Sequence, residues 1–264
     1  MLFLLSMLPH GDLDQRINDI SLEIQASPEN MELRLKRGEL FIQHEEYTKA
    51  KADFLSCLQH KFKNEYVFLG LGTSYLFEGL IDSSLYYVEQ AIALAPDHLS
   101  SYELKAKVLM HANRNCEAAD VYQYILNKAD HPSPFIFIQA SSAYNLCETE
   151  GSIDNAISVL QSGLKIIPDN RILQYQLISI YKEVNEFDKA VELQSSIIAF
   201  STFKVRPYLE RAKIYAEINK NQLAKDDISS ALINWDLLPQ HKKDLPAMDA
   251  LKKEILALKA ELEN

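Results

Sequence analysis

The feature that most constrains this chain is a spacing of about 34 residues that recurs along it. Gly38 and Gly72 stand one such period apart, as do Phe41 and Tyr75, and Ala190 and Ala224. Residue types recur with the spacing. Gly38, Phe41, Tyr47, Ala50 and Phe54 form one set, Gly72, Tyr75, Gly79, Ala91 and Pro96 a second, and Tyr181, Phe187, Ala190 and Ile197 a third. Self-similarity at a period of roughly 20–50 residues marks a stack of small supersecondary units, none able to bury its apolar side alone. Turn punctuation is sparse, with 7 Gly and 9 Pro in 264 residues, too little for a sandwich or an α/β sheet. The units are therefore expected to be helical and the fold all-α.

This period and these residue types resemble the tetratricopeptide repeat (TPR) family. The resemblance implies a solenoid, an α-α superhelix of helix-turn-helix units. Each unit carries a small residue in its first helix and a close-packed alanine in its second. Six units are expected, at 31–64, 65–98, 99–133, 134–170, 171–204 and 205–238. The small residue reads Gly38, Gly72, Ala106 and Ala212, with Ile178 as a departure. The close-packed residue reads Ala50, Ala118, Ala156, Ala190 and Ala224, with Ser84 as a departure. The step from Tyr144 to Ala156 is longer than the matching step from Phe41 to Ala50, which puts extra residues in the turn CETEGSID. That insertion is expected to be drift rather than a recognition loop.

A helical array needs polar caps at both ends. Leu13, Ile17, Ile20 and Ile24 fall at helical spacing and predict an N-terminal capping helix within 11–30. Leu251, Ile255, Leu258 and Leu262 form one stripe and predict a C-terminal capping helix within 239–264, with Trp235 packed beneath it. Residues 1–10 open with the uncharged apolar run MLFLLSMLP, too short to span a bilayer. The break after Pro9 fits the remnant of a signal segment, so an exported location is favoured over a cytoplasmic one.

In the TPR family the first helices of successive units line a concave groove. Carried over by register, the expected peptide-contacting positions are Leu35, Leu69, Thr73, Leu76, Phe77, Lys107, Phe135, Ile138, Ser142, Tyr175, Ser179 and Lys213. The basic and Asn residues with which some members clamp the carboxylate tails of chaperones are missing. The paired positions read Leu35 and Glu39, Leu69 and Thr73, Ile138 and Ser142, and Tyr175 and Ser179. The expected partner is a protein or peptide other than such a tail, and the expected state is a monomer or weak homo-oligomer.

Other chemistries find little support. A net charge of −10 with no basic run argues against nucleic acid. Cys57, Cys116 and Cys147 show no zinc spacing, and their odd count argues against a disulfide framework. The seven His fall in no metalloprotease or Cys/His ligand pattern, and no phosphate-binding loop or nucleophile elbow occurs. No cofactor is expected. The expected function is a non-enzymatic scaffold. The alternatives are a structural subunit that self-associates through its terminal helices and, more remotely, a hydrolase-like enzyme built from scattered residues.

Overall fold

The computed structural model describes residues 10–263. Of the expected signal remnant, residues 1–10, all but His10 lie outside the described residues. Among the described residues every regular element is an α-helix: α1 (His10–Ala26), α2 (Met31–Gln43), α3 (Tyr47–Gln59), α4 (Glu65–Phe77), α5 (Ile81–Leu94), α6 (Leu99–His111), α7 (Asn115–Lys128), α8 (Pro134–Asn145), α9 (Ser152–Ile166), α10 (Arg171–Glu183), α11 (Phe187–Phe200), α12 (Val205–Glu217), α13 (Asn221–Asp236), α14 (Gln240–Lys243) and α15 (Pro246–Glu263).

The boundaries follow from local chemistry. The side chains of Asn30, Asn64 and Asn170 accept from Glu32 N, Tyr66 N and Leu173 N, which satisfies donors that have no partner within a first helical turn. Pro134 opens α8, where a missing N–H costs nothing. Five first helices end the same way. Glu45, Gly79, Asn113, Asn185 and Asn219 take positive φ between 56° and 77°. The next residue then bonds back, as in Glu46 N to Phe41 O, Leu80 N to Tyr75 O and Lys220 N to Tyr215 O. This is the left-handed helix ending that suits Gly and Asn and reverses the chain within a short turn.

The chain divides into two compact units, Met1–Ala156 and Ile157–Asn264. In the first, consecutive helices from α1 to α8 pack together, and α2 also touches α4 as α4 touches α6. Its central side chain is Phe54, fully buried between two glycines. A Cβ on Gly38 would lie 2.6 Å from Phe54 Cε1, and one on Gly70 would lie 2.3 Å from Cε2. The small residues are thus what lets the first helices close on the aromatic. In the second unit α10 to α13 pack in succession, and α15 covers α13 and α12. Leu251 and Ile255 of α15 share a cluster with Trp235, and Lys252 sits over the indole ring at 4.8 Å.

The cysteines correct the sequence reading. Cys116, in the first turn of α7, and Cys147, in the lengthened turn after α8, form a disulfide with Cα atoms 4.7 Å apart. Asn115 Nδ2 donates to Leu146 O at 3.0 Å beside it. The odd count misled because the third cysteine, Cys57, is a buried core residue and takes no part. The turn from Leu146 to Gly151 is twice the length of its counterpart from His44 to Glu46, and it is fastened covalently to α7.

Candidate functional site

The expected groove positions fall into three classes. Leu76 is a correction: at 6% exposure it packs with Val88 and Val108 inside the first unit, since its place on α4 turns toward α5 and α6. Leu35 is half-buried against the cluster around Phe54, and Leu69, Thr73, Lys107, Ile138 and Ser142 are half-buried along α4, α6 and α8. Phe77 and Phe135 are exposed, and Phe77 stacks on Tyr47 with ring centroids 4.4 Å apart, at the end of α4 rather than along its length.

The second unit brings three positions together. Tyr175 and Ser179 of α10 and Lys213 of α12 line one cleft of about 540 Å³. Ile178 and Lys182 join them from α10, and Glu210, Ile214 and Glu217 from α12. The two helices do not follow one another in the chain. They face each other because α11 packs on both, and Gln194 of α11 also lines the cleft.

Both lysines of the cleft are matched internally. Lys182 Nζ lies 2.7 Å from Glu217 Oε2. Lys213 Nζ lies 3.2 Å from Glu210 Oε1 and 3.2 Å from Glu254 Oε2 on α15. Each ammonium already has a carboxylate, so neither offers an unopposed positive charge to an acidic ligand. Partly exposed pairs of this kind stabilise the fold by at most about 1 kcal/mol each. Their greater effect is on the ligand: the walls present ion pairs, the Tyr175 ring, about 38% exposed, and the exposed Ser179 hydroxyl.

Sequence reasoning missed Gln194, Glu210, Glu217 and Glu254. Gln194 belongs to a second helix, outside the register from which groove positions are carried over. The glutamates read as solvated surface until the lysines they meet, on other turns or other helices, are placed. Among the described residues no group of three His, Cys, Asp or Glu is arranged to hold a metal ion, and no helix is long and apolar enough to cross a membrane.

Solved structures share this architecture. The C-terminal part of a TPR repeat-containing protein from Cytophaga hutchinsonii matches with a TM-score of 0.62 at 18% identity, covering 85% of this chain and 95% of that one. A tetratricopeptide repeat protein from Parabacteroides merdae matches with a TM-score of 0.57 at 15% identity, covering 94% and 93%. Yeast Tom70 matches with a TM-score of 0.56 at 15% identity over 77% of this chain, which spans only 43% of Tom70. No protein-family model matches the sequence, and no curated protein does. At these identities the likeness establishes the fold alone: the chain has the all-α helical-repeat architecture of these tetratricopeptide repeat structures.

Proposed function

We propose that this chain is a non-enzymatic scaffold that binds a protein or peptide along the surfaces of its first helices. The observation that carries the reading is the cleft between α10 and α12, where Tyr175, Ser179 and Lys213 converge. A cleft of about 540 Å³ is of the size that takes a few side chains. An extended or helical segment seated there would place an anchor beside Tyr175 and polar groups beside Ser179 and the Lys–Glu pairs. In the first unit, Leu35, Leu69, Thr73, Lys107, Phe135, Ile138 and Ser142 are the corresponding candidates. Capture of an acidic chaperone tail is disfavoured by the glutamates that already engage Lys182 and Lys213. The Cys116–Cys147 disulfide supports work in an oxidising compartment, where such bonds persist.

The test is a random peptide library displayed on phage and panned on the whole chain. Peptides enriched on the wild type are expected to lose at least about tenfold in affinity on Ser179→Arg, which fills the cleft from an exposed position. Retention of every selected peptide by that variant would remove the cleft from the reading. Self-association through the terminal helices is the other reading. It finds less support, because α15 spends Leu251 and Ile255 on the cluster around Trp235. Light scattering that returns a stable dimer would favour it.

A further inference from the structure

The second helices share a core position one helical turn after the close-packed Ala or Ser. It reads Phe54, Val88, Tyr122, Leu160, Gln194 and Ile228. All six are at most 2% exposed. Five are apolar or aromatic, as the fold requires, and Gln194 alone carries a carboxamide. Its Nε2 donates to Pro207 O at 2.8 Å. Its Oε1 is buried and accepts from no protein group, in a residue that lines the α10–α12 cleft. A buried acceptor without a donor is costly, and an apolar residue at this position would be free of that cost. The bond to Pro207 accounts for the amide end of Gln194 but not for its oxygen; Tyr122 at the equivalent position also buries an unpartnered hydroxyl, but Gln194 is the one of the two that lines the cleft, where a ligand can bring a donor.

Burial narrows the donor. The rim of the cleft leans acidic, since Glu183, Glu210 and Glu217 line it against Lys182 and Lys213, but Gln194 lies beneath that rim at 0% exposure. The fitting partner for a neutral carboxamide oxygen at that depth is an uncharged N–H, because a charged donor would have to shed its water to reach it. We propose that Gln194 is an amide-reading subsite: its Oε1 accepts a hydrogen bond from an amide N–H of a peptide lying between α10 and α12. The donor is either a main-chain amide or the side chain of an Asn or Gln in the peptide. This rests on the peptide-binding reading and adds to it the group that is read.

The experiment uses peptides selected on the wild-type whole chain and compares Gln194→Met, which keeps side-chain length and removes the acceptor. The expected result is a loss of about tenfold in peptide affinity together with an apo protein of nearly wild-type resistance to denaturant, since the variant gives up the bond to Pro207 O but also the unpartnered Oε1. The Gln194 side-chain amide resonance of the wild type is also expected to shift on saturation with peptide, a readout that does not depend on the variant folding. Single N-methylation along the peptide and replacement of its Asn or Gln by norvaline separate the two sources, since only one change should reproduce the loss. Equal affinity for wild type and Gln194→Met, with the glutamine resonance unmoved, means that ordered water alone satisfies Oε1 and overturns the assignment. If those same peptides still respond to Ser179→Arg, the cleft reading survives that failure. If none responds to Ser179→Arg, or no peptide is enriched, both fall together.

Discussion

Arg211 grips Asp227 through two parallel hydrogen bonds, Nε to Oδ2 at 2.8 Å and Nη2 to Oδ1 at 2.7 Å. Its remaining nitrogen, Nη1, donates to Ser195 Oγ at 2.8 Å. In the other unit Arg37 does the same with Asp53, at 2.7 Å on both prongs, and with Ser21 at 3.1 Å. Arg37 and Arg211, Asp53 and Asp227, and Ser21 and Ser195 are all offset by one and the same stretch of sequence. In each case a serine of one second helix, an arginine of the next first helix and an aspartate of its partner are tied together. Ser21 lies on α1, so α1 has the register of a second helix. The carboxylates are nearly buried, with Asp53 at 4% and Asp227 at 6% side-chain exposure. The guanidinium groups are held charged more firmly than usual, first by these hydrogen bonds.

Removing one member of such a pair strands the other. Asp227→Ala is expected to destabilise the second unit by about 3 kcal/mol, because the arginine loses both strong acceptors while still largely enclosed. Replacing both groups by apolar residues of similar size, Arg211→Met with Asp227→Leu, is expected to recover most of that loss. Denaturant midpoints of the three proteins decide the matter. A double variant as weak as the single one would show that the pair contributes more than mutual neutralisation.

The disulfide predicts a stability that responds to reductant. Cys116 and Cys147 are 31 residues apart in sequence, and closing a loop of that size constrains the unfolded chain by about 2–4 kcal/mol. Unreduced protein in denaturant should show one titratable thiol, that of Cys57, and three after reduction. The reduced chain should unfold at a lower temperature, and Cys116→Ser should match it without reductant. Three thiols before reduction would mean that the bond does not form in solution.

Cys57 supplies a pH dependence. The residue is fully buried and its Sγ donates to Met31 O at 3.5 Å. Burial, helped by the nearby Asp53 carboxylate and opposed by Arg34, pushes its thiol up from 9.0 to about 11. The folded state therefore prefers the protonated thiol. Its contribution to stability is intact below about pH 9 and is lost as the pH rises toward about 11, because only the unfolded chain ionises readily in that window. The native protein is expected to react with a disulfide reagent at mildly alkaline pH far more slowly than the denatured chain. Equal rates would place Cys57 at the surface.

The repeat, and with it the all-α fold, was legible because a small residue in one helix and an aromatic in the next are a packing requirement. Gly38 and Phe54 state that requirement in the sequence, and the distances between them show why it holds. The division after Ala156 was not legible, since the one mark beside it, the lengthened turn CETEGSID, reads as drift within a repeat that continues on both sides. The candidate site was legible only in part. Register places Tyr175, Ser179 and Lys213 on first helices, but it misplaced Leu76, whose neighbours Val88 and Val108 belong to the following helices. The pairing of Lys213 with Glu254 spans 41 residues, and no local pattern announces a contact of that range. Gln194 was hidden for another reason: a polar residue at a core position shows only once all the second helices are aligned.

Gly70 offers the sharpest test of the packing. It lies on the opposite side of Phe54 from Gly38 and outside the recurring small-residue position, and its missing Cβ would fall 2.3 Å from the ring. On an exposed helix Gly→Ala gains about 1 kcal/mol in propensity. Here the added methyl must displace a fully buried ring flanked by a second helix, and overpacking of this kind costs about 1–3 kcal/mol. Gly70→Ala is therefore expected to be neutral to destabilising by about 2 kcal/mol, against the propensity scale. Pairing it with Phe54→Leu discriminates the cause. The smaller side chain opens a cavity when introduced alone and should lose stability through it. In the presence of Gly70→Ala that space is partly filled, so the two losses should add to less than their sum. Strict additivity in denaturant unfolding would show that α4 moves away from the ring instead of pressing on it.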